Sequence, residues 1–176
     1  MIVYRTATRA DASAIAQLHA RSWQQHYRGI LSDTYLDNEV LPDRQRVWHE
    51  RFARPSTRQH IIVAHEEELG GFACAYRQHD PQWGALLDNL HVVPAGQGRG
   101  VGRALMRATA QWLQQQSPSE GLYLWVFEAN TAARAFYERQ GGVCQEKAVV
   151  DNPDGSSASV FRYVWTDLSR LVGGRQ

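Results

Sequence analysis

The sequence lacks the features that mark several common kinds of protein. Cysteine is scarce: two in 176 residues, Cys74 and Cys144. Both fall inside β-like runs, so reduced, buried thiols are expected. Cysteine and histidine show no metal-ligand spacing, and no metal is expected. No apolar run approaches membrane-spanning length, and the N-terminus Met1-Ile-Val-Tyr-Arg5 has no signal-peptide apolar segment. Neither sign of charge dominates, with 19 Lys and Arg against 18 Asp and Glu, a formal +1. That balance predicts no nucleic-acid partner and no attraction to an acidic membrane. Repeats, linkers and low-complexity segments are missing as well. The remainder is an ordinary globular composition, 43% hydrophobic and 21% charged. Its length suits a single domain, expected over residues 1–172 with a disordered tail at 173–176, and without a signal-peptide or membrane-spanning segment a cytoplasmic location is the expectation.

Hydrophobic periodicity supplies the element order. Ile2 to Ala7 reads as a strand, and Asp11 as the N-cap of a helix carrying Ala14, Ile15, Leu18 and Ser22 on one side. Ser32-Asp33 caps a short helix through Tyr35 and Leu36, and Pro42-Asp43 opens another with Val47, Trp48 and Phe52. Gln59 to His65 and Leu69 to Arg77 form a hairpin around Glu66-Glu67-Glu68. A strand over 86–93, a helix from Val101 to about Gln115, a strand over 121–127 and a helix over 130–140 follow. A last hairpin pairs 143–150 with 159–165 through Asn152-Pro-Asp-Gly155. This order predicts an α/β fold: a mixed, twisted central sheet of about six to seven strands with helices on both faces.

The most informative stretch joins the strand ending at Val93 to the helix starting at Val101. It carries Gly96, Gly98, Gly100 and Gly102. Glycine lets backbone N–H groups approach a ligand and adopt positive φ, and a helix start adds unpaired donors and a dipole. Together these make an anion site suited to phosphate. No lysine sits in the loop, so a P-loop fails. G-x-G-x-x-G fails too, because Gly96 and Gly98 lead to Val101 and Gly98 and Gly100 lead to Arg103. Nucleotide-dependent kinases and oxidoreductases are disfavoured accordingly.

What fits is Gln97-x-x-Gly100-x-Gly102 after a Val-x-Pro strand end, followed by a strand, Asn130, a helix bearing Tyr137, and the stop Gln140-Gly-Gly142. These segments resemble the GNAT superfamily of N-acetyltransferases, almost end to end. The resemblance implies acetyl-coenzyme A as cosubstrate, its pyrophosphate held by Gln97, Gly98, Arg99, Gly100, Val101, Gly102 and Arg103. It further implies a pantetheine arm along Leu90, His91 and Val92, with the Val92 N–H facing the thioester oxygen, and Asn130 on the arm. The acceptor would be a primary amine of a small molecule or a peptide N-terminus, attacking directly in a ternary complex. A homodimer is compatible with it. A non-catalytic acyl-coenzyme A-binding module is the alternative.

The chemistry needs an acid for the departing thiolate and a base for the amine. Tyr137, seven positions after Asn130 and so on the same helix side, is the candidate acid; packing helix on sheet is its other possible role. Trp125 stands where some relatives carry a strand glutamate, so Asp88 is the candidate base, with Glu128, His91 or a water chain as alternatives. Strand alternation sets Asp88 and Leu90 on one face and His91 on the other. Trp23, His26, Tyr27 and Tyr35 are the candidate acceptor-pocket residues. Trp23 and Tyr27, four apart, also suit a core pair.

Overall fold

A computed structural model describes residues 1–173. Of the expected tail only Gly173 falls among these; 174–176 lie outside the described residues. In chain order the elements are β1 (Val3–Thr6), α1 (Ala12–His26), α2 (Asp33–Asn38), α3 (Val40–Ala53), β2 (Gln59–His65) and β3 (Leu69–Asp80). Then come β4 (Gly84–Val92), α4 (Val101–Gln116), β5 (Leu122–Phe127), α5 (Thr131–Arg139), β6 (Val143–Asp151), β7 (Ser157–Trp165) and α6 (Ser169–Val172).

The seven strands form one sheet in the order β1-β2-β3-β4-β5-β7-β6. Every neighbouring pair is antiparallel except β4 and β5. Strand alternation sorts the central side chains into two layers. Ile61, Val63, Phe72 and Cys74 pack with Ile15, Leu18 and Trp48 of α1 and α3. Ile62, Ala64, Ala73 and Ala75 pack with Val101, Leu105, Met106 and Leu113 of α4 on the other face. A third cluster joins Ala20, Leu31, Tyr35, Leu36 and Val40. Among the described residues no helix is long and apolar enough to cross a membrane.

Several local expectations are corrected. Asp11 occupies the N-cap position of α1, as expected, but its side chain makes no capping bond to the helix; its carboxylate accepts the Thr8 N–H at 2.7 Å and pairs with Arg5, closing a 3-10 turn ahead of the helix. Ala14 faces solvent, and the buried side of α1 runs through Ile15, Ala16, Leu18 and His19. Helix α3 starts two residues before Pro42, which sits in its tolerant first turn. Cys144 is exposed, because β6 is an edge strand whose residues mostly face water. Helix α6 was not expected.

Candidate active site

Strands β4 and β5 run parallel but pair only at Ala85–Leu122 and Leu86–Tyr123. Beyond that point they part, and a cavity of about 750 Å³ opens between them. Leu87 to Val92 line one side and Leu124 to Phe127 the other, with the glycine loop, α1 and α5 completing the wall. The Val93 N–H bonds the Gly70 carbonyl at 3.0 Å. By alternation the N–H groups of Leu90 and Val92 therefore point to the other edge of β4, where β5 has diverged.

At the loop, Gly98 and Gly100 adopt φ of +75° and +81°, and a Cβ at either would meet nothing within 4 Å. The backbone is thus bent in a way that favours glycine, beside open space. Two expected donors are engaged within the loop: the Gln97 N–H bonds Pro94 O at 3.1 Å and the Arg99 N–H bonds Gly96 O at 3.3 Å. Val101 and Gly102 begin α4, where the first turn has no intrahelical acceptors. The Arg99 side chain lies outside the lining and reaches to 3.8 Å from Glu66, whereas Arg103 lines the cavity.

Asn130 caps α5, its side chain accepting the Ala133 N–H at 3.2 Å, and also lines the cavity. Tyr137 lines it as well, its ring 6.1 Å from that of Trp165 and 5.3 Å from that of Phe136. Burial, and secondarily the neighbouring Tyr27, raises the Tyr137 pKa. Burial pushes Tyr27 up to about 12. Both phenols hold their protons at neutral pH.

Asp88 breaks the expected alternation. Cys74 pairs with Asn89 and the adjacent Ala75 with Leu87, so Asp88 is the extra residue of a β-bulge. The bulge turns Asp88 to the same face as Asn89. Arg51 of α3 reaches both: its guanidinium forms an ion pair with the Asp88 carboxylate at 2.8 Å and donates to Asn89 Oδ1 at 2.9 Å. Asp88 therefore shares the α1–α3 face with His91, rather than opposing it as a regular strand requires. His91 Nδ1 lies 2.8 Å from Ser22 Oγ, and burial pushes its pKa down to about 3.

Trp23, His26 and Tyr27 border the cavity as expected, but Tyr35 does not. Tyr35 is buried in the third core cluster and donates to Asp43 at 2.5 Å, because α2 packs that face against α1 and α3. Glu128 is likewise outside the lining and pairs with Lys147 at 2.7 Å. Ser22 and Phe127 line the cavity without having been singled out; the period-two relation of Phe127 to Trp125 was the available signal. Among the described residues no cluster of His, Cys, Asp or Glu could hold a metal.

The geometry can grip an anion at the loop, present strand-edge amides to an extended ligand, and place a phenol and a carboxylate on one cavity. A family model described as "Acetyltransferase (GNAT) family" matches residues 15–142. A relative named "Probable N-acetyltransferase Rv2775", from Mycobacterium tuberculosis, is 27% identical over 140 residues, covering 77% of this chain and 76% of its own. The crystal structure of PaiA N-acetyltransferase from Thermoplasma acidophilum in complex with coenzyme A superposes with a TM-score of 0.71 at 17% identity, covering 94% of this chain and 99% of that one. The ribosomal-protein-S18-alanine N-acetyltransferase from Escherichia coli superposes at 0.66 with 19% identity, covering 93% and 92%.

Proposed function

The chain belongs to the acetyltransferase (GNAT) family, and from that premise we propose that it transfers the acetyl group of acetyl-coenzyme A to a primary amine of a small molecule or peptide, by direct attack in a ternary complex. The carrying observation is the parting of β4 from β5 beside the glycine loop. One opening offers diphosphate donors at its mouth and strand-edge donors further in.

The residues suit this coenzyme. The open space at Gly98 and Gly100 admits a phosphate close to the backbone. The first-turn N–H groups of Val101 and Gly102, with the helix dipole, favour its charge. Dipole placement alone contributes roughly 0.3–1 kcal/mol, and each charge-assisted hydrogen bond is stronger than a neutral one. When bound, the coenzyme supplies an activated acetyl thioester. The edge of β4 at Leu90 and Val92 is assigned to pairing the pantetheine arm as an added strand would. The Val92 N–H is assigned to charge developing on the acetyl oxygen. Tyr137, kept protonated by its surroundings, donates a proton to the departing sulfur. Asp88 is the carboxylate on the wall, and we assign it the proton of the attacking amine. Asn130 faces the arm while it caps α5.

Calorimetry on the purified protein is expected to register acetyl-coenzyme A binding, with free thiol released once an amine acceptor is added. A null calorimetric trace overturns the proposal. Binding without thiol release across a broad amine panel overturns its catalytic part.

A further inference from the structure

At the acceptor end the cavity wall is built from aromatic rings. Trp23 and Tyr27, one helical turn apart on α1, have centroids separated by 5.4 Å. The ring of Phe127 meets Tyr27 edge-on at 4.9 Å, and Trp125, two residues earlier on β5, lines the same cavity. Helical and strand periodicities bring these four rings to one wall.

Two arginines stand against the rings of that wall, each paired with a carboxylate. The Arg44 guanidinium lies 4.4 Å over Trp23 and pairs with Asp43 at 2.7 Å. Arg162 lies 4.4 Å over Trp125 and pairs with Glu146 at 2.7 Å. A ring whose face already holds a guanidinium is a poor host for a second cation, because like charges repel across it. Asp88, which faces the reacting nitrogen, is balanced by Arg51 at 2.8 Å. A second ammonium on the acceptor would find these carboxylates engaged. A carboxylate on the acceptor would not meet the Arg44 and Arg162 guanidiniums, because neither residue lines the cavity. His91 adds no charge: it is buried, joined to Ser22 and neutral.

Resting on the acetyltransferase reading above, we infer that the acceptor is a monoamine carried on an uncharged aromatic body, its ring seated against Trp23, Tyr27 and Phe127. Stacked and edge-to-face contacts would hold that body, and burial would exclude water from it.

The test compares kcat/KM for phenethylamine, n-butylamine, spermidine, alanine and a short peptide with a free N-terminus, all with acetyl-coenzyme A. Phenethylamine is expected to exceed spermidine, alanine and the peptide by about tenfold or more. Replacing Phe127→Leu should lower phenethylamine more than n-butylamine, narrowing their ratio about three- to tenfold. Trp23→Leu should narrow it in the same direction, which guards against one variant's misfolding. Preference for the polyamine, the amino acid or the peptide, or a ratio unmoved by both substitutions, overturns the assignment while leaving the acetyltransferase reading standing. Failure to bind acetyl-coenzyme A overturns that reading, and this inference with it.

Discussion

Tyr137 carries two separable burdens. Its ring packs against Phe136, Tyr163 and Trp165, and it lines the cavity with the acidity of its hydroxyl suppressed by burial. Tyr137→Phe keeps the first and removes the second. Turnover is expected to fall about 100-fold or more, while coenzyme affinity by calorimetry stays within about twofold. Undiminished turnover would confine Tyr137 to packing. Asp88→Asn probes the opposite proton: kcat/KM is expected to drop about 10-fold or more. An undiminished kcat/KM would mean that the amine's proton leaves through water. The placements differed in how far they could be read from sequence. Tyr137 and Asn130 both line the cavity, as their spacing on one helix led one to expect. The partner of Asp88 was not legible, since Arg51 comes from α3, distant in the chain and set there by the packing of α1, α3 and the sheet. Tyr35 misled for a related reason. An aromatic beside a pocket-forming helix is also core material, and its own sequence neighbourhood does not decide which.

Elements were read most securely where backbone chemistry leaves few options. The loop from Pro94 to Gly102 was one such place, because glycines between a strand and a helix restrict what the chain can do. Both left-handed residues found there, Gly98 and Gly100, were among those glycines. The hairpin turn at Glu66–Glu68 and the Ser32 cap of α2 were also found where their residues pointed. The β-bulge at Asp88 was invisible. A period of two assumes no inserted residue, and nothing in Asp-Asn-Leu-His announces one. Yet the bulge moves Asp88 onto the α1–α3 face, so an unread local irregularity shaped the candidate site. The loop's conformation can be tested against a matched control. Gly100→Ala and Gly155→Ala both place a Cβ at φ +81°, with nothing within 4 Å in either case. Each should cost about 1 kcal/mol of stability in denaturant unfolding. Only Gly100→Ala should also weaken acetyl-coenzyme A, by about tenfold, as misaimed amides lose a charge-assisted hydrogen bond. Equal coenzyme affinities in the two variants would remove the loop from coenzyme binding.

Across the molecule as a whole, burial favours the neutral form of several imidazoles. His19 and His91 stand with ring centroids 4.6 Å apart between α1 and the sheet. His19 Nδ1 accepts the Trp48 indole N–H at 3.0 Å, which leaves the proton of the neutral ring on Nε2. Burial holds the His19 pKa well below its usual range, helped by His91, Arg44 and Arg51, and holds His91 near 3. His60 is lowered by burial too. In each case the folded form binds fewer protons than the unfolded chain, whose histidines titrate near about 6.5. The resulting stability is fully present above that pH and is lost as pH falls toward the folded value. Each such imidazole contributes a slope of up to about 1.4 kcal/mol per pH unit. Asp11, held near 2 chiefly by Arg5, pushes in the same direction, but only below the carboxylate range. Denaturant unfolding at about pH 7.5 and about pH 5.5 should therefore show a marked loss at the lower value, and His91→Gln should shrink that loss. Equal stability at the two values, or an undiminished loss in the variant, would mean these rings are hydrated or protonated in the folded state. The same dependence bounds the chemistry. Any loss of activity toward low pH has to be measured where the wild type remains folded, because below the ordinary histidine range the unfolded chain takes up protons that the folded one does not.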